Sequence, residues 1–145
     1  MQTGHIGINV SDIERSKAFY TRAFGLDVMN ESQEEGKQFA FLGENGTLYV
    51  TLWQQSAGRF DASVPGLHHL SFQVESLEQV KEAEARVREL GAEFLYDGVV
   101  SHAEGAQSGG IFFRDPDGIR LEIYTPSGAD ESDAPSGEAP TCGFF

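Results

Sequence analysis

The sequence has very little cysteine, because Cys142 is the only one in 145 residues. An internal disulfide is therefore excluded, and a reducing cytoplasm is the expected location. Long apolar runs are also missing, since no stretch approaches the roughly 18 apolar residues that a membrane span needs. The first residues, MQTGHIGINV, lack the basic segment followed by an apolar stretch that is typical of a secretory signal. We therefore expect a cytoplasmic protein with no membrane partner.

Positive charge is scarce as well: 10 Lys and Arg stand against 23 Asp and Glu, which gives a net charge of −13. A field of this sign repels phosphate backbones, so no nucleic acid is expected as a partner, whereas metal ions and cationic ligands are tolerated. Hydrophobic residues make up 39% of the chain and include eleven Phe, enough for a packed core. The length predicts a single domain, which we place at residues 1–125.

Residues 126–145 differ in composition from the rest of the chain. They are rich in Pro, Gly and Ser and contain four acidic residues but no basic one: Asp130, Glu131, Asp133 and Glu138. Such a segment buries too little apolar surface to order itself. The composition therefore predicts an acidic, flexible tail.

The chain contains an internal repeat with an offset of 64 residues. The stretch GHIGINVSDIERSKAFYTRAFG near the start is matched by LHHLSFQVESLEQVKEAEARVRELG, which pairs His5 with His69 and Val10 with Val74. Self-similarity at a fixed offset indicates a duplicated structural unit. We therefore expect two tandem modules at residues 4–54 and 66–125, joined by a linker at residues 55–65.

Each module is predicted to fold as βαβββ, which gives an α+β class. The first strand is followed by a helix, from Glu14 to Phe24 and from Leu77 to Leu90, and each helix ends at a glycine, Gly25 or Gly91. Three extended segments follow in each module: residues 27–31, 38–42 and 47–54, then 93–97, 110–114 and 119–125. Turn signals, ENG at residues 44–46 and DPDG at residues 115–118, separate the last two strands of each module.

The two-residue period of a strand divides these segments into two faces. The apolar residues, such as Ile8, Phe72 and Leu121, are expected under the helices. The opposite face carries a mostly polar set: His5, Gly7, Asn9, His69, Ser71, Gln73, Arg120, Glu122 and Tyr124. If the sheet is curved, His5, His69 and Glu122 gather over one concavity.

Two imidazoles and one carboxylate are a ligand set for a divalent metal ion, Fe(II), Mn, Zn, Ni or Co. The set leaves coordination positions open for a substrate, as a catalytic metal requires. In the first module the counterpart of Glu122 is Thr51 or Val50, and neither supplies a fourth anionic ligand. The alternatives are that the histidines are a relic of the duplication in a metal-free binder and that Glu122 is an exposed strand residue.

Further residues are candidates for the site. Glu122 and His102, the latter in a Gly-rich loop, are candidate catalytic residues, with His102 as a proton shuttle; simple exposure of the loop is the alternative. The expected substrate cavity is lined by Asn9, Thr51, Trp53, Ser71, Gln73, Arg120 and Tyr124, although the aromatic residues among them suit packing or a dimer contact equally well. By strand parity, His68 is expected on the helix side and partly buried.

The duplicated βαβββ unit, the histidine at the start of each copy and the segment GGIFFRDPDGIRLEIYTP resemble the vicinal oxygen chelate superfamily. This superfamily contains glyoxalase I, bleomycin-resistance proteins, extradiol ring-cleavage dioxygenases and fosfomycin-inactivating thiol transferases. The resemblance covers residues 4–125. It implies a curved, mixed, eight-stranded sheet, a homodimer, and a divalent metal held by His5, His69 and Glu122.

The resemblance does not select one reaction. Glyoxalase I carries a carboxylate ligand in both copies, where this chain has Thr51 or Val50, and fosfomycin transferases carry a tyrosine where this chain has Phe112. Fosfomycin transferases and extradiol dioxygenases share all three ligands, and extradiol dioxygenases also usually have a tyrosine where this chain has Phe112. The resemblance thus implies a metal-dependent enzyme for a small substrate with vicinal oxygens, either a ring-cleaving dioxygenase or a lyase or isomerase. The alternative is a metal-free, drug-sequestering protein of the bleomycin-resistance type, which suits the acidic surface because its ligands are cationic.

Overall fold

The structure, a computed structural model, describes residues 1 and 3–145. Within them the first module forms β1 (Ile6–Val10), α1 (Ile13–Phe24), β2 (Asp27–Ser32), β3 (Phe39–Glu44) and β4 (Thr47–Gln54). The second forms β5 (Leu70–Gln73), α2 (Leu77–Glu89), β6 (Val100–Ser101), β7 (Gly109–Arg114) and β8 (Arg120–Thr125), and a short 3₁₀-helix follows at Thr141–Gly143. The predicted α+β class and the repeated βαβββ order are confirmed.

The described chain divides into two compact units, Met1–Phe60 and Asp61–Phe145. Each unit has its own four-stranded mixed sheet, with strand orders β1-β4-β3-β2 and β5-β8-β7-β6. The first and last strands of each module pair in parallel, and the other pairs are antiparallel. The family resemblance implied one sheet of eight strands, whereas the described strands are hydrogen-bonded as two sheets of four. None of the described helices has the length and apolar character needed to cross a membrane.

Local signals fix both ends of α1. The Asp12 side chain accepts a hydrogen bond from the backbone N–H of Arg15 at 2.9 Å and so caps the first turn. Gly25 then ends the helix in the left-handed region, at φ 69°, where a residue without Cβ is not strained. The helix begins one residue before the predicted start, and its buried face, which includes Phe19 and Tyr20, packs against β3 and β4.

The second helix repeats this arrangement. Ser76 accepts a hydrogen bond from the backbone N–H of Gln79 at 3.3 Å, and Gly91 follows the last turn at φ 68°. The helix buries Val80, Ala83 and Val87 against β7 and β8. It thereby holds β8, the strand that carries Glu122, from the face opposite the site.

Both predicted turns occur where the sequence places them. Asn45 and Gly46 join β3 to β4 with positive φ angles of 51° and 79°, as expected for a type I′ hairpin turn. Between β7 and β8 the Asp115 carboxylate accepts hydrogen bonds from the backbone N–H groups of Asp117, at 2.9 Å, and Ile119, at 2.8 Å. The start of β8 is therefore set by a side chain of the turn itself.

The strand predicted at residues 93–97 does not form as a continuous strand. Phe94 makes an isolated bridge to Phe113, and the chain then turns at Gly98, whose φ is 75°, before β6 pairs with β7. The edge of the sheet is thus built from two short pieces, because the positive φ at Gly98 interrupts an extended segment. Short, interrupted edges are a common way to limit pairing with other chains.

The acidic tail packs on the second unit instead of remaining free in solvent. The Thr141 hydroxyl donates to the carbonyl of Ser101 at 2.8 Å, and the Thr141 N–H donates to the carbonyl of His102 at 2.7 Å. Ala129 and Thr141 are fully buried. The flexible tail predicted from the composition was wrong because the tail docks through backbone groups and small side chains, while its four acidic side chains stay exposed.

We predict that Thr141→Val loosens the tail. The substitution keeps the shape but removes the buried hydroxyl that donates to Ser101, which should cost about 1 kcal/mol. The amide at position 141 should then exchange with deuterium about fivefold faster. Ser136→Ala is the matched control, since the Ser136 hydroxyl has no hydrogen bond with the described residues. Equal exchange in Thr141→Val and the parent would contradict this account of the docking.

Candidate active site

Strand pairing assembles one polar face in the second unit. β5 lies parallel to β8, with Ser71 opposite Glu122 and Gln73 opposite Tyr124. His69, directly before β5, reaches the same face, since its Nε2 lies 3.3 Å from Glu122 Oε2. The Tyr124 hydroxyl donates to Gln73 Oε1 at 2.8 Å. These side chains belong to the polar set that strand alternation predicted for one face of the sheet.

The Glu122 carboxylate is the centre of this face. Only 2% of the residue is exposed, and each of its oxygens meets a histidine: Oε2 lies 3.3 Å from His69 Nε2, and Oε1 lies 2.6 Å from His102 Nε2. The other ring nitrogen of His102, Nδ1, lies 2.9 Å from Ser108 Oγ. A buried carboxylate requires such partners. We refer to His69, His102 and Glu122 as the histidine–glutamate cluster.

Two of the three predicted metal ligands, His69 and Glu122, are therefore together, and the candidate shuttle His102 joins them. Across residues 1 and 3–145 no group of three His, Cys, Asp or Glu side chains is arranged to hold a metal ion. Glu122 instead uses its two oxygens as hydrogen-bond acceptors for the two imidazoles. His5 is exposed and precedes β1 in the other compact unit, so its role as a ligand remains a prediction.

His69 lies in a mixed electrostatic environment. Burial lowers its pKa below the ordinary 6.5, the negative Glu122 opposes this change, and the neighbouring His68 ring and the positive Arg120 lower the pKa again. The net lowering keeps the ring neutral near pH 7. A neutral imidazole has a nitrogen lone pair that can accept a proton or bind a metal ion.

The prediction for His68 was wrong. The residue is exposed, and its Nδ1 lies 2.8 Å from Nδ1 of His69. Strand parity does not apply to it, because β5 begins only at Leu70.

The end of the chain contributes an aromatic cover that sequence reasoning missed. The Phe145 ring lies 5.7 Å from the rings of His68 and His69 and 5.1 Å from that of Phe112. The Arg120 guanidinium lies over the same ring at 5.3 Å. No local pattern indicates this contact, since Phe145 follows a segment with the composition of a flexible tail.

Cys142, the single thiol, is half-buried. Burial raises the pKa of the Cys142 thiol, and the negative charge of Glu122 raises it further. The group is therefore a neutral thiol at pH 7.

The remaining candidate residues lie in the first unit, where the register identifies the counterpart of Glu122. Gly7 is opposite Thr51 and Asn9 is opposite Trp53, so Thr51, and not Val50, occupies the position that Glu122 has in the second unit. Thr51 is buried, and its hydroxyl accepts a hydrogen bond from Trp53 Nε1 at 3.0 Å. The Asn9 side chain accepts one from the backbone of Gln55 at 2.9 Å. The first copy thus carries an uncharged hydroxyl where the second carries a carboxylate.

Comparison with known proteins agrees with this architecture. The family model of the glyoxalase/bleomycin resistance protein/dioxygenase superfamily matches residues 2–123. The trivalent organoarsenical cleaving enzyme of Bacillus sp. (strain MD1) is 31% identical over 143 residues, which cover 98% of this chain and 83% of that enzyme.

Solved structures give the same result for the fold. A glyoxylase/bleomycin resistance protein/dioxygenase domain from Frankia sp. EAN1pec superimposes with a TM-score of 0.72 and 26% identity, covering 86% of this chain and 91% of that chain. The fosfomycin resistance protein FosX of Listeria monocytogenes, solved with Mn(II) and sulfate, has a TM-score of 0.63 and 22% identity, covering 86% and 91% of the two chains.

We predict that acid destabilises the metal-free protein through His69. Because folding lowers its pKa, the unfolded chain binds more protons between the lowered pKa and 6.5, so the free energy of unfolding rises with pH across that window. The contribution is complete above the unfolded pKa of 6.5 and is lost as the pH falls from 6.5 through the lowered pKa of the folded protein.

Urea unfolding in the presence of a chelator, followed from about pH 7.5 to about pH 5, measures this effect. His69→Gln should remove that part of the pH dependence, whereas His5→Gln should retain it. An unchanged pH dependence in His69→Gln would show that His69 is not responsible.

Proposed function

Because the chain belongs to the glyoxalase/bleomycin resistance protein/dioxygenase superfamily, we propose that it is a divalent-metal-dependent enzyme for a small substrate with two adjacent oxygens. The proposed reaction is ring-cleaving dioxygenation, or else a lyase or isomerase reaction. The observation that supports this proposal best is the buried Glu122 carboxylate with imidazole nitrogens at both of its oxygens.

The donor set fits a divalent ion. A carboxylate and neutral imidazoles are ligands for Fe(II), Mn, Zn, Ni and Co, and burial keeps His69 neutral at pH 7. A buried carboxylate is stabilised by a nearby cation, which compensates for its lost hydration. We propose His5, His69 and Glu122 as the ligands, with His102 as the competing candidate for the third position.

The ion and the residues around it would have different roles in the reaction. A bound ion supplies Lewis acidity, which stabilises negative charge on substrate oxygens. His102 either orients Glu122 through its Nε2 or moves a proton at that atom, since the Nδ1 contact with Ser108 fixes the ring. Tyr124, whose ring lies 5.3 Å from that of His102, and Phe112 supply aromatic walls that limit access of water.

Metal titration tests the proposal. Glu122→Gln removes the anionic ligand, so the affinity for Mn(II), measured by calorimetry, should fall at least about 100-fold. Glu104→Gln makes the same chemical change at an exposed carboxylate and should leave the affinity unchanged, as should Thr51→Ala. A parent protein that binds no metal would overturn the enzyme proposal in favour of metal-free sequestration of an organic ligand.

The same titration identifies the third ligand. If the ligands are those we propose, His5→Gln should lower the affinity for Mn(II) as strongly as His69→Gln does, whereas His102→Gln should lower it less. If His102→Gln instead lowers the affinity for Mn(II) more than His5→Gln does, His102 replaces His5 in the ligand set and the proposed metal dependence stands.

Cleavage of a trivalent organoarsenical is the second candidate function. Its support is the 31%-identical relative together with the free thiol of Cys142, because soft sulfur ligands suit soft ions such as trivalent arsenic. In such binding the thiol displaces one hydroxyl group of the arsenical, which leaves as water.

Intact-protein mass spectrometry with phenylarsonous acid tests this candidate. The parent should form a one-to-one adduct, and Cys142→Ser should form none. Release of inorganic arsenite by the iron-loaded parent would establish the cleavage. The second candidate is excluded if the parent forms no adduct.

A further inference from the structure

Arg120 is a basic residue of the polar face that surrounds the cluster. Arg114 lies opposite it on β7, on the same face, but donates to Glu93 Oε1 at 3.3 Å. Arg120 lies two residues before Glu122 on β8, so alternation directs both side chains to the same face. Its charge also acts on His69 across the parallel β5–β8 pair. The cluster is therefore flanked by a fixed positive charge in a chain whose net charge is −13.

The Arg120 side chain is left with an unused donor. Its Nε is buried and has no hydrogen-bond partner among residues 1 and 3–145. Leaving a buried N–H without an acceptor costs free energy, and the cost is larger for a charged group. A donor of this kind beside a substrate-binding cluster indicates that the missing acceptor belongs to a ligand.

The orientation of the guanidinium favours a planar acceptor. Phe145 covers one face of the group, with the Arg120 Cζ atom 5.3 Å from the centre of the ring. Stacking covers the face of a guanidinium and not the edges in its plane, from which its N–H groups donate. The edge formed by Nε and one terminal nitrogen matches the two oxygens of a carboxylate.

We propose that Arg120 binds a carboxylate group of the substrate, beside the oxygens that interact with the metal site, and that Phe145 positions the guanidinium for it. This inference rests on the proposed function for the vicinal oxygens, whereas the binding of the carboxylate itself needs no metal. A monoanion is favoured over a dianion because one guanidinium charge meets it in an otherwise acidic protein. The substrate class is therefore an acid that carries two adjacent oxygens, such as a dihydroxybenzoate.

The first experiment uses the metal-free protein and follows the Arg120 Nε–H resonance in nitrogen-15 NMR, assigned by its loss in Arg120→Lys. Benzoate should shift this resonance, whereas the neutral isostere benzamide should not. Phe145→Leu should reduce the shift at equal benzoate concentration, because the guanidinium is no longer held by the ring. No shift with benzoate at a concentration on the order of tens of millimolar would overturn the proposal.

The second experiment uses the Mn(II)-loaded protein and compares catechol with 2,3- and 3,4-dihydroxybenzoate by calorimetry. The parent should bind one of the two acids about tenfold more tightly than catechol. Arg120→Met should lose this preference, measured as the ratio of the affinities for acid and catechol within the same variant. Lys81→Met, which removes one exposed positive charge from α2, should keep the ratio of the parent. Absence of the preference in the parent, or its persistence in Arg120→Met, would overturn the proposal.

The outcomes separate this inference from the proposed function. If the protein binds no Mn(II) but benzoate shifts the Arg120 resonance, the metal-dependent function fails and the carboxylate site stands. If Mn(II) binds and catechol binds to it, but neither acid is preferred and benzoate shifts nothing, the metal-dependent function stands and the role of Arg120 fails.

Discussion

The burial of the Glu122 carboxylate is the constraint on which the second unit depends. A carboxylate removed from water is stable only where hydrogen-bond donors or cations replace its hydration. Here His69 arrives from the residue before β5, and His102 arrives from the loop after β6. Three separate parts of the chain must therefore be placed correctly before this one group is satisfied, and each of them is held by the fold around it.

The βαβββ module provides that support from the opposite side. β8 is an inner strand of its sheet, paired with β5 and β7, and α2 packs on the face away from the cluster. The Asp115 turn fixes where β8 begins, and the parallel pairing fixes which residues lie opposite one another. Glu122 is thus held by backbone pairing, and its two imidazole neighbours have little freedom to leave it without exposing an unsatisfied charge.

The local parts of this arrangement were predictable from the sequence. The helix caps, the terminal glycines and both hairpin turns depend on residues a few positions apart, and alternation correctly placed Glu122, Tyr124 and Gln73 on one face. The predictions failed where contacts distant in sequence decide the outcome. Gly98 interrupts the expected edge strand, and His68 lies outside the strand whose parity was applied to it.

The tail shows the same limit most clearly. Its composition correctly describes its exposed acidic side chains, but it contains no information on where backbone N–H groups and carbonyls find partners. The contacts of Thr141 with Ser101 and of Phe145 with His69 join residues 40 and 76 positions apart. Contacts of that range follow from the completed surface of the second unit, which no window along the sequence represents.

The two copies of the module hold opposite chemistry at the same register position. Thr51 and Glu122 are equivalent, yet one is a neutral hydroxyl bonded to Trp53 and the other an anion between two histidines. In evolutionary terms, the duplication lets one copy hold the charged site while the other copy only has to keep the fold of the module. The copy with the carboxylate is constrained by electrostatics, because loss of the negative charge weakens the contacts of Glu122 with His69 and His102. The copy with Thr51 holds no charge at this position, so a substitution there need not preserve an ion pair, although it must still fit a buried site beside Trp53.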